Sequence, residues 1–78
     1  MNVKITTPDT ILYEGDAKLI HLPGVGGSFQ ILENHAPIVS ALVQGSLRIV
    51  TLADETKTFT IRGGVIKCQQ NEALILVQ

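Results

Sequence analysis

Few residues in this chain could do chemistry. They are His21, His35, Cys68, the polar side chains of its turns, and one glycine-rich stretch, Gly24-Val25-Gly26-Gly27-Ser28. A phosphate-binding loop needs a Lys-Ser/Thr pair after its glycines and a helix whose N-terminus faces the anion. Here Phe29-Gln30-Ile31-Leu32 follows, which is a strand pattern. The stretch therefore reads as a mobile loop between two strands, with glycines at positive φ and with room for another backbone to approach. His35 lies in Asn34-His35-Ala36-Pro37. As a general base it would need a carboxylate to orient it and a nucleophile to serve; Glu33 is near, but no Ser or Cys is placed to pair with it. Pro37 pushes Ala36 into extended geometry, so His35 is expected to tie a stiff corner through a ring nitrogen, or to meet a partner there.

The remaining groups read as structural. Cys68, between Lys67 and Gln69, has no Arg, His or helix start to lower its pKa and is expected to be a buried, inert thiol. His21 alternates within a strand. Cys68, His21 and His35 show no zinc-ligand spacing, and Glu14, Asp16, Asp54 and Glu55 lack that of a calcium loop. A reaction needs a constellation of groups, and none is present. The reading is a non-enzyme without metal or cofactor.

Composition narrows the class further. Six Lys and Arg balance seven Asp and Glu, and the charges are scattered. No basic stripe is available to neutralise phosphates, and Tyr13, Phe29 and Phe59 are too dispersed to stack bases, which argues against nucleic acid. The start, Met1-Asn2-Val3-Lys4-Ile5, alternates like a strand and lacks the apolar segment of a signal peptide. No apolar run approaches the length of a membrane span. With one cysteine, no internal disulfide can form, and the expectation is a soluble protein in a reducing compartment. At 78 residues the chain is one domain near the lower limit for a self-sustaining core, so it needs an efficient β core, a partner, or both.

The elements that must position these residues follow from the apolar pattern, which has period two almost throughout. Val3 and Ile5 alternate with Lys4 and Thr6 until Thr7-Pro8-Asp9. Ile11-Leu12-Tyr13 predicts a short strand ended by Glu14-Gly15-Asp16, and Ala17 to Leu22 a further one, stopped by Pro23-Gly24. Ile38 to Leu42 is rich in β-branched residues and reads as strand. From Ser46 to Leu52 the pattern sets Leu47 and Ile49 on one face, with Arg48 and Val50 on the other. Ala53-Asp54-Glu55 is a turn, and Thr56 to Arg62 returns with Phe59 and Ile61 inward. Gly63-Gly64 marks a bend or bulge. Val65 to Gln69 and Ala73 to Val77 make a last hairpin across Gln70-Asn71-Glu72. No segment sustains a helical stripe, so residues 1–78 form a single all-β sandwich or barrel.

The order Pro23-Gly24, Gly27, Ile31-Leu32, His35-Ala36-Pro37, Leu42, Gly45 and Gly63-Gly64-Val65 resembles the epsilon subunit of F-type ATP synthases, called delta in mitochondria. Thr7-Pro8 and Leu12-Tyr13-Glu14-Gly15 are similar to that family's first hairpin, so the likeness covers essentially the whole chain. The family commonly has Gly at the position of Gln30 and Pro-Gly at Glu33-Asn34, differences of turn geometry that leave His35-Ala36-Pro37 intact. The family's sandwich is usually followed by two helices, and the resemblance stops at Gln78, where the sandwich would end.

The resemblance implies a small ten-stranded β-sandwich at the foot of the rotor stalk of a proton-translocating ATP synthase. Its role would be to dock the gamma subunit onto the c-ring and couple ion flow to ATP synthesis, without catalysis. Thr7, His35 and Ser40 match gamma-facing positions. Val25, Gly26, Gly27, Ser28 and Phe29 match the loop that meets the c-ring. Gly26 and Ser28 stand where the family often has acidic residues, so contact there is expected to rest on backbone hydrogen bonds and Phe29. The implied location is peripheral, on the cytoplasmic face of the bacterial inner membrane, attached through the complex without lipid insertion. Without the helical arm the chain is expected neither to brake ATP hydrolysis nor to bind ATP. A free-standing β module for a small ligand is the alternative.

Overall fold

Alternating apolar residues punctuated by glycine and short polar turns leave the chain few options but strands. The computed structural model describes all of residues 1–78 as eight strands: β1 Asn2–Thr6, β2 Ile11–Gly24, β3 Gly27–Leu32, β4 Ile38–Leu42, β5 Gly45–Thr51, β6 Thr56–Ile61, β7 Gly64–Gln69 and β8 Glu72–Val77. The all-β architecture and single unit agree with the sequence reading; the strand number is eight and not ten.

Much of that difference lies in β2. The sequence splits it at Glu14-Gly15-Asp16, but the backbone runs straight on for 14 residues. Gly15 faces Val3 of β1 and is roofed by Tyr13, whose oxygen lies 3.0 Å from where a Cβ would be. The same hydroxyl donates to the Asp16 carbonyl at 3.0 Å. Tyr13 thus covers the glycine and holds the strand extended. Pro23-Gly24 does not stop β2 either: Pro23 pairs with Ser28, and Gly24 with Gly27.

Because β2 is long, it serves two layers. Its first half pairs with β1, while its second half lies between β3 and β5, and the register shifts between Ala17 and Leu19. Such a bulge increases local twist and lets one strand turn from one sheet into another. The first layer is β3, the second half of β2, β5 and β6; the other is the first half of β2, then β1, β8, β7 and β4. All pairs are antiparallel except β1 with β8. At one corner Gly24 pairs with Leu42 and closes the layers on each other.

One cluster of 16 buried residues fills the space between. Ile20, Leu22, Ile31, Leu47, Ile49 and Ile61 come from the first layer; Val3, Ile5, Ile66, Cys68, Ala73, Ile75 and Val77 come from the second. Leu47 and Ile49 point inward with Arg48 exposed, and Phe59 and Ile61 pack inward, as the alternation predicts. Cys68 is 2% exposed. Burial pushes its thiol pKa up, opposed by the nearby charge of the Met1 amine.

Three turns fix the ends. Gln70 and Asn71 both take positive φ, 51° and 59°, the signature of a two-residue type I′ hairpin between β7 and β8. Gly63 and Gly64, at φ 156° and 155°, carry the chain from β6 into β7. At Gly64 the backbone of β8 approaches so closely that a Cβ would collide with the Leu76 carbonyl oxygen. The turn after β5 is pinned by Thr51, whose hydroxyl accepts from the Glu55 amide at 3.1 Å, and by an ion pair of Lys18 with Asp54.

Candidate docking surfaces

The glycine-rich stretch folds as a tight hairpin turn, Val25-Gly26, between β2 and β3, and not as a mobile loop. Of its glycines only Gly27 has positive φ, at 122°. Gly24 serves close packing: a Cβ there would lie 2.7 Å from both the Gly27 carbonyl oxygen and the Phe29 ring. Two bonds between layers hold the turn, from the Val25 amide to the Ala41 carbonyl at 3.1 Å and from the Val43 amide to the Pro23 carbonyl at 2.8 Å. Val25 is 66% exposed at the tip, with Gly26, Gly27 and Ser28 also exposed. Phe29 pairs with inward-facing Leu22, and its half-buried ring packs on the core. The surface of this turn is therefore Val25 to Ser28, with Phe29 as the peg beneath it.

His35 follows a turn in which its amide donates to the Leu32 carbonyl at 3.3 Å and Asn34 takes φ 63°. Positive φ at that position alone suits Asn as it suits Gly, so Glu33-Asn34 keeps a turn that Pro-Gly could also make. The Asn34 amide donates to the Asn71 side-chain oxygen at 2.8 Å. Glu33 accepts from the Met1 amine at 2.9 Å and is thus engaged away from the histidine. His35 Nδ1 lies 2.6 Å from the Ala36 carbonyl oxygen, which places the ring proton on Nδ1. The ring ties its own corner, as the sequence suggests.

Thr7 likewise holds its own turn. Its hydroxyl accepts from the amides of Asp9 at 3.2 Å and Thr10 at 3.0 Å. Ser40 is half-buried on β4, its hydroxyl 3.3 Å from the Ala41 carbonyl. These three residues do not converge. Thr7 borders a surface depression of about 650 Å³ shared with Leu42, Arg62, Gly64 and Leu76. His35 lies at the other end of β4, where Ile38 faces Cys68; Ser40 is midway. The Val25 turn joins the Thr7 end, beside Ala41 and Val43. No three His, Cys, Asp or Glu residues are grouped as metal ligands would be.

Sequence reasoning overlooked the outer face of the second layer. Val39, Val65, Leu74 and Leu76 all point outward there, and all are exposed. The available signal was the unbroken apolar run Ala73-Leu74-Ile75-Leu76-Val77, since a strand apolar on both faces expects cover on both.

The fold is thus a small two-layer sandwich with an exposed turn at one end and Val39, Val65, Leu74 and Leu76 exposed on the outer face of its second layer. The family model described as ATP synthase, Delta/Epsilon chain, beta-sandwich domain matches residues 1–78, and the chain belongs to that family. It is similar to the ATP synthase epsilon chain of Chlorobaculum tepidum, 36% identical over 75 residues that cover 95% of this chain and 84% of that one. It is 38% identical to the epsilon chain of Leptospira borgpetersenii over 97% of this chain and 59% of that protein. With the chloroplastic epsilon chain of Piper cenocladum it shares 39% identity over 99% of this chain and 57% of the other. It therefore spans most of the first relative and under three fifths of the other two. Among solved structures, a chain of the Euglena gracilis mitochondrial ATP synthase OSCP/F1/c-ring assembly superposes with TM-score 0.90 at 18% identity, covering 96% of this chain and 48% of that chain. A chain of the Tetrahymena thermophila mitochondrial ATP synthase central stalk/c-ring gives 0.83 at 23%, covering 99% and 62%. Both share the fold.

Proposed function

We propose that this chain is a non-catalytic subunit of the central stalk of a proton-translocating F-type ATP synthase, joining the gamma subunit to the c-ring. The observation that carries the reading is the family match over residues 1–78, and the exposed turn at Val25 and the exposed apolar residues of the second layer are consistent with it. In this reading Thr7, His35 and Ser40 lie on the gamma side, and the turn Val25-Gly26-Gly27-Ser28, pegged by Phe29, meets the c-ring. Thr7 and His35 act by fixing two turns at either end of β4, so what they offer a partner is a set backbone shape. The c-ring contact rests on exposed backbone and Val25, since Gly26 and Ser28 carry no charge. The protein would sit peripherally on the cytoplasmic face of the bacterial inner membrane, held through its partners.

The test is reconstitution with gamma and the c-ring from the same source. Stable co-elution with both, and restored coupling in membranes depleted of this subunit, is the expected result. A chain that stays monomeric beside gamma and the c-ring sinks the reading. A Val25→Ala substitution, which trims the exposed side chain at the tip of the turn, is expected to weaken attachment to the ring while leaving gamma binding unchanged.

A further inference from the structure

The side of β4 turned away from β7 is an open hydrogen-bonding edge. In an antiparallel strand both backbone groups of a residue point to the same side, and the sides alternate. The Ala41 carbonyl accepts from Val25, away from β7, so Ala41 and Val39 face outward while Ile38, Ser40 and Leu42 bond β7. Beyond Leu42, which meets Gly24, β4 has no second neighbour. The carbonyl of Pro37, both groups of Val39 and the amide of Ala41 are left as a row of two acceptors and two donors. Val39 is 70% exposed, the most of any large apolar side chain.

Natural sheet edges are usually blunted by charge, bulges or short length. Lys57 lies on the edge strand β6, and Glu14 and Asp16 lie on the first half of β2, which has β1 on one side only. The edge of β4 carries Ile38-Val39-Ser40-Ala41-Leu42, without a charge, as does the other open strand β3, Gly27–Leu32; β4 differs in bearing Val39, the most exposed large apolar side chain. On the outer face Lys67 stands opposite Val39 and Val65 opposite Ala41, with Leu74 and Leu76 one strand further on, so the apolar part of that face reaches the edge beside Ala41.

We infer that β4 is a strand-addition site: an extended segment of the gamma subunit pairs antiparallel with Pro37–Ala41 and adds a strand to the second layer. This rests on the stalk-subunit reading for the identity of the partner. Three alternate residues of that segment meet the four open groups, and main-chain bonds supply the affinity while side chains beside Val39 and Val65 set the register. A second copy of this chain could pair across Val39, but two five-residue edges bury far less than the roughly 1,000 Å² a stable interface needs. A larger partner can cover the edge and the adjoining face together.

The probe is purified gamma subunit from the same ATP synthase, mixed with the full chain and followed by residue-resolved amide exchange and by affinity. The Val39 and Ala41 amides are expected to exchange freely in the isolated chain and to slow at least about tenfold in the complex, as newly paired edge amides would. Val39→Pro removes an outward amide without touching the β7 ladder, and is expected to weaken gamma binding by about tenfold or more. Val39→Ala keeps the amide and is expected to retain most of the affinity. Equal losses in both variants would assign the contact to the side chain and overturn strand addition. Gamma binding with unchanged exchange at Val39 and Ala41 overturns it while leaving the stalk reading intact. Failure of gamma to bind the unaltered chain removes both. Protection of these amides in a self-associated chain without gamma replaces the proposed occupant with a second copy, and so overturns the assignment. Should Val39→Pro not fold, the exchange result on the unaltered complex decides.

Discussion

The amide of Asn34 is bound to the side-chain oxygen of Asn71 at 2.8 Å, so two turns 37 residues apart hold one another. Each of the two residues takes a positive φ, 63° and 59°, that Asn tolerates better than most residues. The bond fixes the approach to His35-Ala36-Pro37 from outside that segment. Asn71→Gly keeps the backbone conformation and removes only the bond. Its expected cost is about 1 kcal/mol in urea unfolding, with faster exchange at the Asn34 amide. Unchanged exchange at Asn34 would show that the corner does not depend on this link.

Gly64→Ala is expected to be among the most damaging single-methyl additions in the molecule. The added carbon meets the Leu76 carbonyl, a backbone atom, at a φ that Ala does not favour. A loss above about 2 kcal/mol is expected, from strain and overpacking together. Gly26→Ala is the control: nothing lies within 4 Å of its Cβ, and the change should stay within about 0.5 kcal/mol.

The two faces of β8 predict opposite behaviour. Ile75 is wholly buried and Ile75→Ala should cost about 2–5 kcal/mol in the isolated chain. Leu74 is exposed on the outer face, so Leu74→Ala should cost well under 1 kcal/mol there. Its effect belongs in partner binding. Similar stability losses for the two would mean that the outer face is covered by this chain itself.

Cys68 makes stability depend on alkaline pH. Burial, opposed by the nearby charge of the Met1 amine, raises its folded thiol pKa above the ordinary value. The folded state therefore keeps the proton when the unfolded state has lost it. The contribution is complete below the unfolded pKa and declines as pH rises toward and through the folded one. Urea midpoints should fall above about pH 8.5, the ordinary thiol range, and Cys68→Ala should flatten that decline. The thiol should also resist alkylation until the chain unfolds.

Phe29→Ala separates folding from contact. Because the ring packs on the core over Gly24, truncation is expected to lower stability by roughly 1–3 kcal/mol in the chain alone. A silent effect on stability would return Phe29 to the surface as a direct contact.

The strand pattern made most of the fold legible. Leu47 with Ile49, and Phe59 with Ile61, declared their inner faces because one side of each strand is wet and alternation survives. The continuity of β2 was not legible, since Glu14-Gly15-Asp16 has the composition of a turn and only Tyr13, folded over Gly15, shows that it is strand. Gly24 and Gly27 looked alike in sequence yet do different work: one makes room for Phe29, the other takes positive φ. The open edge at Val39 was hidden because an unpaired strand and a paired one read the same until their neighbours are placed. His35 could be read as a corner histidine from Pro37 beside it, but the partner that steadies the corner, Asn71, is brought there by the fold alone.

The passage of β2 through both layers has a mechanical consequence. In a sandwich held only by side-chain contact, one sheet can slide over the other at the expense of soft, non-directional interactions. Here sliding would have to distort a continuous covalent strand at Ala17–Leu19 and to break the Gly24–Leu42 seam where the same strand ends. Shear between the layers is resisted by backbone geometry and hydrogen bonds, so a load applied to one sheet arrives at the other with little lag or slippage.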